Sequence, residues 1–232
     1  RFRALRYRLS RSWWHGIRGG SDDPGWGFAA QYIGRHALSA FTAFIVFPWA
    51  ATRLWNLRWN AMSFGPLPFR ANLTTAGLKR HWALLYLAPV GLLLLGFVAM
   101  GSMFAAQGKP DPSLIAIFAI LFLLFYLAIP LLTLHFFAKL YRQAAAATTL
   151  GELEFEFDAT TWDWLKLFLG NIALVIVTLG FGLTFWGYRN WSFMVRHTRL
   201  LGAIDVSALT QSTAHSPGEA EGFADMLDIG AI

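Results

Sequence analysis

Histidine is the first residue type to test for chemistry, since imidazole is both a common metal ligand and the side chain that titrates nearest neutral pH. The chain has six, His15, His36, His81, His135, His197 and His215. Ligands on one helix face need a spacing of three or four residues, and none of the six is so spaced; no His-Glu-x-x-His run occurs. His81 and His135 bracket the central apolar pair of segments and read as interfacial polar residues. Nucleophilic catalysis fares no better. Ser10, Ser12, Ser63 and Ser192 lie near basic residues, but none sits in a glycine-flanked elbow. We expect no catalytic residue, no metal, no cofactor and no enzymatic activity.

Arginine is the remaining candidate. The run Arg1, Arg3, Arg6, Arg8 and Arg11 is interleaved with Phe2, Tyr7, Trp13 and Trp14. Beside apolar segments this pattern suits anionic lipid headgroups, which attract each basic residue by about 1 kcal/mol. It does not suggest nucleic acid. Arg35, Arg53 and Arg189 are further candidate headgroup or interface residues. Arg35 would enter the membrane with its segment, at a cost of about 2.5–3.5 kcal/mol at the bilayer centre, so it must snorkel or find a partner such as Asp22, Asp23 or Asp163.

These residues are placed by a repeat. With residues 22–61 set against 158–197, Asp22, Trp26, Gly34, Ala37, Thr42, Arg53 and Trp55 fall on Asp158, Trp162, Gly170, Ala173, Thr178, Arg189 and Trp191. Asn171 occupies the position of Arg35.

The composition is that of a membrane protein: 56% hydrophobic, 14% charged, mean hydropathy +0.46. Uncharged windows at 82–106, 113–134 and 167–188 are long enough to cross a core of about 30 Å. A shorter one at 37–52 contains Pro48. The eleven tryptophans cluster near the ends of these windows, as expected at headgroup level. The chain has no cysteine, hence neither a disulfide nor a thiolate metal site. It opens on Arg1 and has no signal-peptide core, which reads as the C-terminal part of a longer chain or a processed one.

Charge distribution sets the expected topology. Residues 1–80 carry twelve Lys or Arg against two Asp, and residues 203–232 carry five acids and no base. The loop 107–112 is nearly neutral and is placed outside, making 82–134 a helical hairpin with cytoplasmic ends. The windows at 37–52 and 167–188 have bases on both sides, so both ends belong inside. Phe47-Pro48-Trp49 and Gly180-Phe181-Gly182 would break their helices. The expected fold is therefore an all-α integral membrane protein with an internal tandem repeat. It has two full transmembrane helices plus two re-entrant or short helical hairpins, broken at Pro48, Gly180 and Gly182; the alternative is four ordinary spans. Its divisions are a basic juxtamembrane segment 1–20, a membrane domain 21–206 with repeats at about 22–66 and 158–203, and an acidic tail 207–232. Gly91, Gly96 and Gly101 are expected to permit close helix packing.

Short strands are expected at the cytoplasmic face. Phe64-Gly65, Leu150-Gly151 and Leu201-Gly202 echo one another, and 152–158 alternates acidic with apolar residues. Strands at 66–71, 152–158 and 203–207 follow, the first confined to an edge by Pro66 and Pro68. Phe223, Met226, Leu227 and Ile229 give the tail one helix-like turn that could dock.

Several segments together resemble the YjgN-like family of bacterial inner-membrane proteins, a domain of unknown function. They are Arg6-Tyr7-Arg8-Leu9-Ser10-Arg11, Gly25-Trp26-Gly27-Phe28, Phe47-Pro48-Trp49 with Arg53, Phe64-Gly65 with Phe69-Arg70, and Leu169-Gly170-Asn171 with Thr178-Leu179-Gly180. The resemblance implies a multi-pass protein of the bacterial inner membrane with no assigned catalytic residues. Members are usually longer, with a further N-terminal copy of the repeat that this chain lacks. They are often encoded beside a membrane-associated zinc metalloprotease, which points to a partner of that kind. The chain departs from the pattern at Thr184-Phe185, where the first repeat has Pro-Trp. The expected function is a scaffold or subunit bound to membrane lipids and to a membrane-protein partner or a second copy of itself. The alternative is a transporter or lipid-handling protein built on the paired broken hairpins.

Overall fold

The computed structural model describes residues 2–105, 112–204 and 209–214. Residues 107–111 of the expected outside loop, 205–207 of the expected strand at 203–207, His215 and most of the acidic tail with its apolar turn lie outside the described residues.

The chain is not all-α. Among the described residues seven strands, β1 (Trp13–Trp14), β2 (Ile17–Gly20), β3 (Ser63–Phe64), β4 (Leu67–Ala71), β5 (Thr148–Leu150), β6 (Leu153–Phe157) and β7 (Thr198–Leu201), pair antiparallel in chain order. The helices are α1 (Phe2–Arg11), α2 (Trp26–Phe41), α3 (Phe47–Asn60), α4 (Lys79–Ala105), α5 (Pro112–Ala146), α6 (Thr161–Val177) and α7 (Trp186–His197). A 3-10 segment Phe181–Phe185 precedes α7. Connections between paired strands alternate. Tight turns join β1–β2, β3–β4 and β5–β6, and helix pairs join β2–β3, β4–β5 and β6–β7.

Glycines explain the tight turns. His15 and Gly16 both have positive φ, as a two-residue I′ turn requires, whereas Gly65 and Gly151 supply the positive φ at the first central position of a II′ turn. The glycine echo in the sequence therefore marks hairpin turns. This holds for Gly65 and Gly151, each with a strand before it as well as after it, the preceding ones too short to show periodicity; Gly202 follows β7. β4 is also interior rather than an edge. Pro68 is tolerated there because the β4–β5 register begins one residue later, at Phe69↔Leu150.

The chain divides into two compact units: Arg1–Thr75, Arg142–Asp158 and His197–Ile232 form the first, Ala76–Tyr141 and Ala159–Arg196 the second. In the first unit Phe2, Met62, Phe69 and Leu150 form a buried cluster, with Leu5 and Leu9 of α1, Phe28 of α2 and Trp59 of α3 packed against it. The spacing of Phe2, Leu5 and Leu9 puts one apolar stripe of α1 on the core and leaves its arginines to the other faces. Asparagine side chains extend the sheet where β3 ends. Phe69 N–H still donates to Met62 C=O, but the next strand positions meet α3. Asn60 accepts from Ala71 N–H (2.6 Å) and donates to Ala71 C=O (3.0 Å); one turn earlier Asn56 does the same for Leu73 (2.8 and 2.9 Å).

In the second unit α4 and α5 are long and apolar enough to cross a membrane, and among the described residues almost nothing covers them: the share buried is 6% for the first and 0% for the second. Pro89 and Pro130 lie inside these helices.

The asparagine ladder is testable. Asn60→Ala leaves both backbone groups of the buried Ala71 unpaired and is expected to cost about 1–3 kcal/mol, read as a lowered thermal midpoint in detergent. Asn60→Asp retains the acceptor and is expected to cost less.

Candidate functional site

The strongest candidate is a guanidinium held inside each short helix pair. The two pairs, α2–α3 and α6–α7, have the same turn geometry. Thr42 and Thr178 end the first helix, and their hydroxyls donate back to Leu38 C=O (2.9 Å) and Leu174 C=O (2.6 Å). Ala43 and Phe44, like Leu179 and Gly180, adopt positive φ. Phe44 N–H donates to Ser39 C=O as Gly180 N–H does to Val175 C=O, and Ile45 and Phe47 are matched in the same way by Phe181 and Leu183. Left-handed backbone costs a non-glycine residue about 1–2 kcal/mol. Two such residues in succession, neither of them glycine, are held in the first turn by these bonds. The reversal thus falls at 42–46 and 178–180. Pro48 instead lies in the first turn of α3, where a missing N–H is harmless, Gly180 has φ 99°, and Gly182 is in the 3-10 segment with its N–H donated to Thr178 Oγ1 (2.6 Å). The window 37–52 straddles two helices.

Both tips are strongly apolar and exposed. Phe41 is 91% exposed and its counterpart Val177 81%; Leu179 is 92% and Phe181 79% exposed. Covering each such side chain is worth about 1.5–3 kcal/mol.

Behind each tip sits a cation, supplied from opposite helices. In the first pair, Arg35 of α2 places its guanidinium 5.3 Å from the Trp49 ring of α3 and donates to Gln31 Oε1; its Nε is shielded and takes no partner. In the second, Asn171 stands where Arg35 does and is buried; Arg189 of α7 donates from Nε to Asn171 Oδ1 (2.6 Å), and Asn171 Nδ2 donates to Asn190 Oδ1 (3.2 Å). Gly170 makes room, since a Cβ there would lie 2.8 Å from Arg189 Nη2. Arg53, the counterpart of Arg189, is exposed on α3.

The other arginines are partly structural. Arg3 donates to Pro24 C=O (3.1 Å) and stacks over Trp26 at 4.2 Å, and Arg6 donates to Asp23 C=O (2.6 Å), so α1 braces the loop that opens α2. Arg11 lies over Tyr7 at 5.3 Å, and Arg8 is on the same helix. Among the described residues an added Cβ at Gly91, Gly96 or Gly101 of α4 would meet nothing within 4 Å, so no described helix packs closely there. Gly96 and Phe97 of α4 and Phe118 and Phe122 of α5 line an apolar groove of ≈ 180 Å³.

Two further polar groupings form; the sequence marks His81 and His135 as interfacial residues but not their contact. His81 and His135 face each other with ring centroids 5.0 Å apart. His81 Nδ1 donates to Gly77 C=O (3.0 Å), and His135 Nδ1 is 3.1 Å from Thr161 Oγ1. Asp158 bridges His197 Nδ1 (2.6 Å) and Arg199 Nη2 (2.9 Å) where α7 passes into β7. Among the described residues no three His, Asp or Glu side chains could hold a metal ion.

α6 is started by a capping box: Thr160 Oγ1 accepts from Asp163 N–H, and Asp163 accepts from Thr160 N–H (3.0 Å) and hydroxyl (2.6 Å). The bonds from Thr160, with a smaller contribution from Lys166, lower the Asp163 carboxyl to about 2.

The fold and this site define a repeat protein in which paired strands carry helix pairs, two of whose helices are long and apolar enough to span a membrane. The chain belongs to DUF898, a bacterial protein family of unknown function, which matches residues 1–226. Neither a curated protein nor a solved structure matches it.

Because the folded Asp163 pKa lies below the usual carboxylate value of about 4, its stabilisation is complete above that pH and is lost as pH falls through about 2. Thr160→Ala is expected to cost about 1 kcal/mol and to raise the Asp163 pKa. Hydrogen exchange across the first turn of α6 and a carboxyl titration check both.

Proposed function

We propose that this chain is a non-enzymatic subunit of a bacterial inner-membrane assembly, multi-pass through α4 and α5. The observation that carries the reading is the surface of α4 and α5. Leu87, Leu94, Val98, Ile120 and Leu123 are all exposed, and in water such a surface would aggregate. Charge fits the same arrangement, with β6 exposing Glu154 and Glu156 and α1 offering its arginines. Within the family, the chain's motifs align it with the YjgN-like inner-membrane proteins. The partner is a membrane protein or a second copy of the chain, with a membrane-associated metalloprotease as the candidate the resemblance suggests. Lipids complete the shell.

A transporter or lipid-handling role would draw on the buried polar groups of the helix pairs. Against it, Ser39 donates to Arg35 C=O (2.8 Å) and Thr52 to Trp49 C=O (3.0 Å), so these hydroxyls are satisfied by their own helices and offer little to a polar path.

The protein is expected to stay in the membrane pellet after alkaline carbonate, and Leu94→Arg with Leu123→Arg is expected to abolish stable insertion. In mild detergent it is expected to elute as an assembly larger than one 26.0 kDa chain. A carbonate-soluble wild type would contradict the membrane reading, and a monodisperse monomer would contradict the subunit reading.

A further inference from the structure

We propose that each short helix pair is a phospholipid-phosphate site: the apolar tip enters one leaflet while the guanidinium behind it binds a lipid phosphate. The proposal rests on the membrane reading above and adds a ligand, a depth and the residues that bind it. None of α2, α3, α6 and α7 is among the helices that qualify as spans, so their exposed tips cannot be explained as the middle of a crossing helix.

Distance along the helix carries the argument. Arg35 and Asn171, the residue that holds Arg189, each lie seven residues before the tip threonines, which at 1.5 Å per residue is about 10 Å. No charged residue lies between Arg35 and Arg53, or between Lys166 and Arg189. Half of a hydrocarbon core of about 30 Å is about 15 Å. A tip buried to about 10 Å therefore stays within one leaflet and leaves its guanidinium at headgroup depth, where a cation is favourable.

Two independent features support this. The site recurs in the second copy with a different cation seated: Arg35 of the first helix in one pair, and in the other Arg189 of the last helix, whose counterpart Arg53 is exposed, held at the same level by Asn171. Such an exchange preserves a cation at that depth but not a specific packing contact. The surroundings also suit a headgroup. Arg35 stacks on Trp49 and keeps a shielded Nε without a partner, and Trp162, Tyr188 and Trp191 are exposed on α6 and α7, the aromatic types that favour the interface. Arg189 is oriented by Asn171, which uses its Nε and directs Nη2 over the bare face of Gly170.

The chain has no cysteine, so a single introduced cysteine carries a unique label. Full-length Phe41→Cys, Leu179→Cys and Leu94→Cys proteins, spin-labelled in nanodiscs of phosphatidylethanolamine and phosphatidylglycerol, are compared for oxygen against nickel-chelate accessibility. All three positions are exposed, so labelling should not disturb packing. The expected result is Leu94 deep and both tips about 10 Å below the phosphates. Leu94 deep with tips in water overturns this proposal alone, as do tips deeper than Leu94. Leu94 in water overturns the membrane reading beneath it. Phospholipid retained through gel filtration tests the phosphate contact. Arg35→Gln with Arg189→Gln is expected to weaken retention about fivefold per site, equivalent to about 1 kcal/mol for each basic residue at an anionic surface. Unchanged retention with tip depth intact would overturn the assignment of these arginines. Tip accessibility in the same variants shows whether they still fold.

Discussion

Antiparallel pairing of consecutive strands is the constraint on which the rest depends. Because β2 pairs with β3, β4 with β5 and β6 with β7, any helix between such partners must be matched by a second that brings the chain back. Each helical excursion is thereby forced to be a pair. That accounts for the basic residues on both flanks of the first and last apolar segments, which a chain crossing a membrane once could not accommodate. The same rule admits pairs of very different length. α4 and α5 run 27 and 35 residues where α2 and α3 run 16 and 14, without altering the strand order.

The short pairs show how geometry can be kept while sequence drifts. Their turns share the left-handed backbone and the threonine back-bond, yet Ala43 and Phe44 stand in one and Leu179 and Gly180 in the other. A glycine is the cheapest residue there, and the first copy manages without it because the 5-residue backbone bond and the threonine hydroxyl hold the turn. The guanidinium follows the same logic: its position along the pair is retained while its helix of origin changes. Asn171 replaces a cation by an acceptor that recruits one from the facing helix.

Much of this was legible in sequence. The two long apolar windows correspond to α4 and α5, the alternation of Leu153, Phe155 and Phe157 with glutamates corresponds to β6, and the 136-residue offset maps β2 onto β6 and α2 onto α6. What was missed has physical causes. β1 and β3 are two residues long and β5 three, too short for periodicity to register, so the sequence shows little of the sheet and reads as all-α. The pairing of Ala71 with Thr148 joins residues separated by the entire α4–α5 excursion. Pro48 looked like a helix break because proline's meaning depends on position, and it lies in a first turn. The Arg35–Trp49 and Arg189–Asn171 contacts bridge reversals in which Ala43, Phe44 and Leu179 take positive φ without being glycine, which no propensity predicts. Asn56 and Asn60 give no sign in sequence that they complete a strand ladder.

Sidedness of the sheet tests the account most directly. Single cysteines at Arg18, Arg70, Glu152 and Arg199, one on or beside each of β2, β4, β6 and β7, would be probed with an impermeant maleimide in intact and then permeabilised spheroplasts. The account predicts that all four are protected in intact cells and labelled together on permeabilisation, since every helix pair returns the chain to the side it left. Labelling of some but not others in intact cells would place paired strands on opposite sides of the membrane and contradict it.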